Sequence, residues 1–135
     1  MVYEMSKRIE RFQALMRRHG IDRALILQNA ALYYLSVTYG NACLWIPASD
    51  QPLLMVLMCM KGALADAPVG QAVPMESISQ LPHYLNRYGD SKTGTLGIEM
   101  DILPTRLYLS LQDLFPEKEM VDISPLIRQA RMIKS

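Results

Sequence analysis

Residues 95–135 read TLGIEMDILPTRLYLSLQDLFPEKEMVDISPLIRQARMIKS, and the change of pattern along this stretch decides the fold. Thr95 to Met100 is a short apolar run of strand character. Between Asp101 and Phe115 the apolar residues fall at 103, 107, 111, 114 and 115, the three-to-four spacing of one helix face, with Asp101 placed to cap that helix. Met120 to Ile123 alternates as a strand does. Ser124 then stands where an N-cap is expected and Pro125 at the first helical position, while Leu126, Ile127, Ala130 and Ile133 share one face. The reading is strand, helix, strand, helix. No Gly, Asn or Pro follows the last helix, which predicts a chain cut inside a longer protein.

The same reasoning extends toward the amino terminus. Ile78, Leu81, Leu85 and Tyr88 share helical spacing before Gly89, with the start predicted at Pro82. Ala72 to Met75 reads as a short strand, and Pro74 within it suits a sheet edge. Lys61 to Ala67 is Ala-rich and helical in character, ending at Pro68. Ala42 to Ile46 and Leu53 to Met58 flank Pro47-Ala48-Ser49-Asp50-Gln51-Pro52, whose prolines and Asp are turn chemistry, so a β-hairpin is expected. Asp22 to Leu27 becomes apolar after two residues, as a strand buried on both faces does. Met5, Ile9, Phe12, Leu15 and Met16 line an opening helix whose remaining surface is basic, and Gly20 follows as its terminator. About six strands and five helices alternate around one hairpin, which predicts an α/β domain with a mixed, about six-stranded sheet and helices on both faces.

A chain of 135 residues fits one domain, and folding at this size buries roughly two-thirds of the surface of the unfolded chain. Half of the residues are apolar and 20% are charged, an ordinary globular balance. The net charge of +1 argues against a dedicated nucleic-acid surface. The longest apolar run, Leu53 to Met60, is far short of the about 20 residues of a membrane span, and the first ten residues mix charged with apolar positions, unlike a signal peptide. A cytoplasmic protein with no membrane partner is expected.

Few residues carry chemistry. Cys43 and Cys59 lie in apolar runs and read as buried free thiols, and His19 and His83 stand apart from each other and from both cysteines, so neither a zinc site nor a nucleophilic triad can be assembled. The Gly- and Lys-containing segment at 89–95 lacks the Gly-Lys pair of a phosphate loop and precedes a strand, not a helix. Glu99 and Asp101 flank Met100, but two carboxylates are too few for a dedicated cation site. Met55, Met58, Met60, Met75 and Met100 read as core filling on apolar strands. Arg128, Arg131 and Lys134 recur every three residues on one helix face, either solvated or available for docking.

The Gly97-Ile98-Glu99 strand, the helix after it, the Val121-Asp122 strand and the closing Arg131-Met132-Ile133-Lys134-Ser135, together with Tyr34-Leu35-Ser36, resemble the amino-terminal domain of creatinase/prolidase-type metallohydrolases. Ala31 and Val37 stand where that family usually has Asn and Gly. The resemblance implies a ribonuclease H-like topology and a non-catalytic domain followed by a catalytic pita-bread domain that this chain lacks. It further implies a parent that hydrolyses a small amide or C–N bond, as an Xaa-Pro dipeptidase or aminopeptidase P does, with two divalent metals (Mn, Co or Zn) in the absent domain. Creatinase-like members do without metal. Partners implied are the catalytic domain, met through Arg128, Arg131 and Lys134, and a second subunit in a homodimer. The loop of Thr38, Tyr39, Gly40 and Asn41 would reach the partner's substrate through Tyr39 and Asn41, the alternative being that Tyr39 packs on the sheet edge and Gly40-Asn41 makes a turn. A different class of reading is a self-contained α/β domain binding a small ligand at the carboxyl ends of its strands.

Overall fold

The structure is a computed structural model, and it describes residues 2–27, 35, 42–57, 71–75, 77–87 and 94–132. Its elements are α1 (Val2–Arg18), β1 (Arg23–Ile26), β2 (Ala42–Pro47), β3 (Leu53–Leu57), β4 (Gln71–Met75), a 3-10 turn (Ile78–Gln80), α2 (Leu81–Arg87), β5 (Gly94–Ile98), α3 (Thr105–Leu114), β6 (Lys118–Asp122) and α4 (Ser124–Met132). The expected helix at 61–67 lies outside the described residues.

One mixed sheet of six strands runs in the order β4-β3-β2-β1-β5-β6. The hairpin is antiparallel, with Cys43 opposite Met55 and Leu44 opposite Leu54. β1 pairs antiparallel with β2 and parallel with β5, and β5 pairs parallel with β6. β4 is an edge strand, as its proline predicts, parallel to β3.

Strand alternation builds two cores. Ala24 and Ile26 of β1 and Ala42, Leu44 and Ile46 of β2 face Ile9, Phe12, Leu15 and Met16 of α1 and Leu126, Ile127 and Ala130 of α4; Leu35 joins them. Leu25, Cys43, Trp45, Leu96 and Ile98 point to the opposite face, where Leu81 and Leu85 of α2 and Leu111 of α3 cover them. Trp45 also stacks obliquely on Phe115, with ring centroids 5.8 Å apart. Helices thus cover both faces, because the central strands β1 and β2 are apolar on both sides.

The end of α1 is a Schellman motif. Ile21 donates its amide to the Met16 carbonyl at 2.9 Å and Gly20 to Arg17 at 3.3 Å, with Gly20 at φ +71, where a Cβ would be strained. From there Gln13 reaches the hairpin loop, donating to the carbonyls of Pro47 (2.7 Å) and Asp50 (2.8 Å).

Three expectations are corrected. α3 begins at Thr105 and not near Asp101, because Pro104 disfavours helical backbone at Leu103 and is itself extended at ψ 141. α4 begins at Ser124, one residue earlier than read, so Ser124 is its first helical residue and not its cap. Met100 is 36% exposed and fills no core, because β5 ends two residues before it. The start of α2 differs from Pro82 by a single residue.

Candidate functional site: a charged corner beneath the last helix

β5 and β6 run parallel and end side by side, which brings Glu99, Asp101 and Asp122 to one corner under α4. Ile123 donates its amide to the Ile98 carbonyl at 2.9 Å and fixes the start of α4 to the end of β5. Asp122 Oδ1 then accepts two amides, Ser124 at 2.9 Å and Met100 at 3.1 Å. Asp122 thus does the work expected of Ser124: its carboxylate covers an orphan amide of the α4 amino terminus, where the helix dipole favours negative charge. Ser124, 3% exposed, also accepts the Asp101 amide on its hydroxyl at 3.2 Å. Asp101 in turn accepts Arg128 of α4 in an exposed ion pair instead of capping α3.

Glu99 lies at the centre of this corner. It is 8% exposed, and its Oε1 finds no hydrogen-bond partner among the described residues. Desolvation pushes its carboxyl above the ordinary range; the Arg131 charge opposes that shift, while Asp122 and Asp101 add to it. Burial also acts to raise Asp122, but the Ser124 amide and hydroxyl, the Met100 amide and the Arg128 charge outweigh it, so Asp122 sits below the ordinary range. The two carboxylates are therefore pushed apart by their surroundings.

Of the residues singled out from sequence, Arg128 and Arg131 come together over Asp101 and Glu99. Both are exposed; Arg128 pairs with Asp101, and the charge of Arg131 acts on Glu99. Tyr39, Asn41 and Lys134, with Thr38 and Gly40, lie outside the described residues. Glu99 and Asp101 do not converge on a common point, since one is buried and the other pairs outward with Arg128. No group of three His, Cys, Asp or Glu among the described residues could hold a metal ion. Sequence reading missed Asp122. Its position two residues before Ser124, in Asp-Ile-Ser-Pro, is the spacing at which an Asp side chain bonds the backbone ahead of it.

Two clefts flank Tyr108 of α3. One, about 220 Å³, is lined by Tyr108, Gln112, Phe115, Pro116, Lys118 and Met120; the other, about 210 Å³, by Met100, Leu103, Thr105 and Tyr108. Neither joins an acid to a base or a nucleophile. The chemistry of the corner is positional: it ties α4 to the ends of two strands.

This arrangement of sheet and helices is shared. The family model of the creatinase/prolidase N-terminal domain matches residues 8–133. The chain belongs to that family. The domain superposes on an Xaa-Pro aminopeptidase structure from Streptococcus pyogenes with a TM-score of 0.83 at 17% identity, over 97% of this chain and 100% of that one. The N-terminal domain of the cytoplasmic peptidase PepQ from Mycobacterium tuberculosis H37Rv is similar at 0.78 and 21%, over 93% of this chain and 98% of that one. A prolidase from Thermococcus sibiricus is similar at 0.78 and 22%, over 96% of this chain but 37% of its own length. No curated protein matches the chain in sequence. No helix among the described residues is long and apolar enough to cross a membrane.

Proposed function

We propose that this creatinase/prolidase N-terminal domain is the non-catalytic part of a hydrolase of Xaa-Pro dipeptidase or aminopeptidase P type, working in the cytoplasm. The observation that carries the reading is that the same fold makes up 37% of a prolidase chain, with the rest of that chain available for chemistry. The domain's own share is assembly: it supports a homodimer and completes the partner subunit's active site, with Tyr39 and Asn41 approaching the substrate in trans. Arg128 and Arg131 of α4, held at the charged corner, contribute to the interface with the catalytic domain together with Lys134. Two divalent metals (Mn, Co or Zn) in that catalytic domain would supply Lewis-acid chemistry, which creatinase-like members do without. No step of that chemistry is assigned to residues described here.

The experiment is turnover of a set of Xaa-Pro dipeptides and longer Xaa-Pro peptides by the full-length protein, with and without Mn, Co or Zn, beside this chain alone. Activity in the full-length protein that is lost in Tyr39→Ala and Asn41→Ala variants of unchanged melting temperature supports the reading. Turnover by residues 1–135 alone overturns it and favours a self-contained enzyme.

A further inference from the structure

Of the three carboxyls at the charged corner, Glu99 is shut away from water while Asp101 and Asp122 are exposed. Its Oε1 is buried and has no hydrogen-bond partner among the described residues. An ionised oxygen left in that state is costly, and the same oxygen in a neutral carboxyl costs far less. The charges that act on Glu99 come from each element around it: Arg131 of α4, Asp122 at the end of β6 and Asp101 in the turn after β5. Arg128 of α4 is taken up by Asp101. Arg131 favours ionised Glu99, but it is exposed and water screens its charge, while the two aspartates work against ionisation. Burial and the aspartates therefore win, and the closed corner holds the Glu99 proton more tightly than water-exposed surroundings do.

The helix above is not held evenly. Its start is tied to the strand ends, where Ile123 donates to the Ile98 carbonyl and Asp122 accepts the Ser124 amide. A helix of nine residues is marginal by itself, so its later turns depend on packing, to which Ile127 and Ala130 contribute.

We propose that Glu99 is a proton-operated latch for α4: with the proton on, the corner stays shut, and when the proton passes to water the helix from Arg128 onward opens locally and lets water reach the carboxylate. Linkage fixes the sign. Opening returns Glu99 to an ordinary carboxyl, so the open fraction grows as pH rises from the ordinary value through the closed-state value and levels off above it. The opening is smaller than global unfolding, because the first turn stays tied. The latch belongs to this chain alone and does not rest on the assembly role proposed above.

The test is amide hydrogen exchange of residues 1–135 at about pH 4 and about pH 7, each rate divided by the intrinsic rate at that pH. Leu44 and Ile46 of β2, buried and paired within the sheet, report global unfolding. At the higher pH, residues 128–132 should be protected at least about tenfold less than those two, with a smaller denaturant dependence. Their protection should fall at least about threefold between the lower and the higher pH, and Glu99→Gln should abolish that fall. Arg131→Ala, which removes the opposing charge, should enlarge it. A carbon-13 titration of the Glu99 carboxyl should give a midpoint above that of a glutamate in the unfolded chain; if Glu99→Gln does not fold, this titration and Arg131→Ala decide. Residues 128–132 exchanging with the protection and denaturant dependence of β2, a fall that persists in Glu99→Gln, one that Arg131→Ala leaves unchanged, or a carboxyl midpoint at the unfolded-chain value overturns the latch.

Discussion

Asp22 and Thr95, 73 residues apart, hold each other reciprocally: the Asp22 amide donates to Thr95 Oγ1 at 2.8 Å, and the Thr95 amide donates to Asp22 Oδ2 at 2.9 Å. The pair joins the turn before β1 to the start of β5 and so helps set the register Arg23 opposite Leu96 on which the parallel half of the sheet depends.

This pairing predicts an acid-sensitive seam. The Thr95 amide lowers the Asp22 carboxyl, burial raises it, and the Thr95 hydroxyl and Arg23 charge lower it again, leaving it below the ordinary range. A depressed folded-state value means that the stabilisation is fully present above the unfolded-state pKa and is lost as pH falls through the folded one. Asp22→Asn should flatten the acid limb of the stability–pH curve, and Thr95→Val should cost about 1 kcal/mol at neutral pH in urea unfolding. An acid limb unchanged by Asp22→Asn would assign the sensitivity elsewhere.

Gly97 is required by close approach. A Cβ there would run into Ile123 Cγ2 and lie 3.3 Å from Ile21 Cγ2, both buried on the α1/α4 side of the sheet. Gly97→Ala should destabilise by about 1–3 kcal/mol through overpacking, measured as a lower denaturant midpoint. Pairing it with Ile123→Ala, which removes the clashing Cγ2, should cost less than the sum of the two single substitutions.

The charged corner predicts a coupling. Glu99 has a raised folded-state pKa, so stability falls as pH rises from its unfolded toward its folded value; ionised Glu99 is a cost that Arg131 reduces. Glu99→Gln should remove that downward slope. Arg131→Ala should cost more in the native background than in Glu99→Gln, with a coupling on the order of 1 kcal/mol. Additive effects would mean that Arg131 serves only as a surface charge.

Cys43 is fully buried and its thiol is pushed up to about 12 by desolvation. In a Cys59→Ser background the folded chain should not react with a disulfide reagent at pH 8, while the guanidinium-unfolded chain should react fully, because the thiolate is the nucleophile. Rapid labelling of the folded chain would show that β2 opens.

Much of the fold was legible because its determinants are local. The hairpin at 47–52, the glycine stop at 20 and the edge proline at 74 are each set by the backbone preferences of one or two residues. Helix starts were less legible. Asp101 and Ser124 both have good capping chemistry, yet Pro104 displaced one start and the Ile123–Ile98 hydrogen bond drew the other forward. The candidate site was legible only in its residue types. Arg128, Arg131, Glu99 and Asp101 could all be singled out, but not how they pair.

By itself the sequence determined the order of strands and helices, the doubly apolar central strands that demand helices on both faces, and the family likeness carried by its closing segment. These follow from side-chain periodicity and from residues such as Gly and Pro, whose effect acts over a few bonds. Only the tertiary structure decided that Asp122 covers the start of α4, that Arg128 takes Asp101, that Glu99 is buried beside Arg131, and that β6 lies at an open edge without a proline. Each of these depends on β5 and β6 ending side by side, a juxtaposition made by packing a helix between them, which no local pattern in the chain encodes.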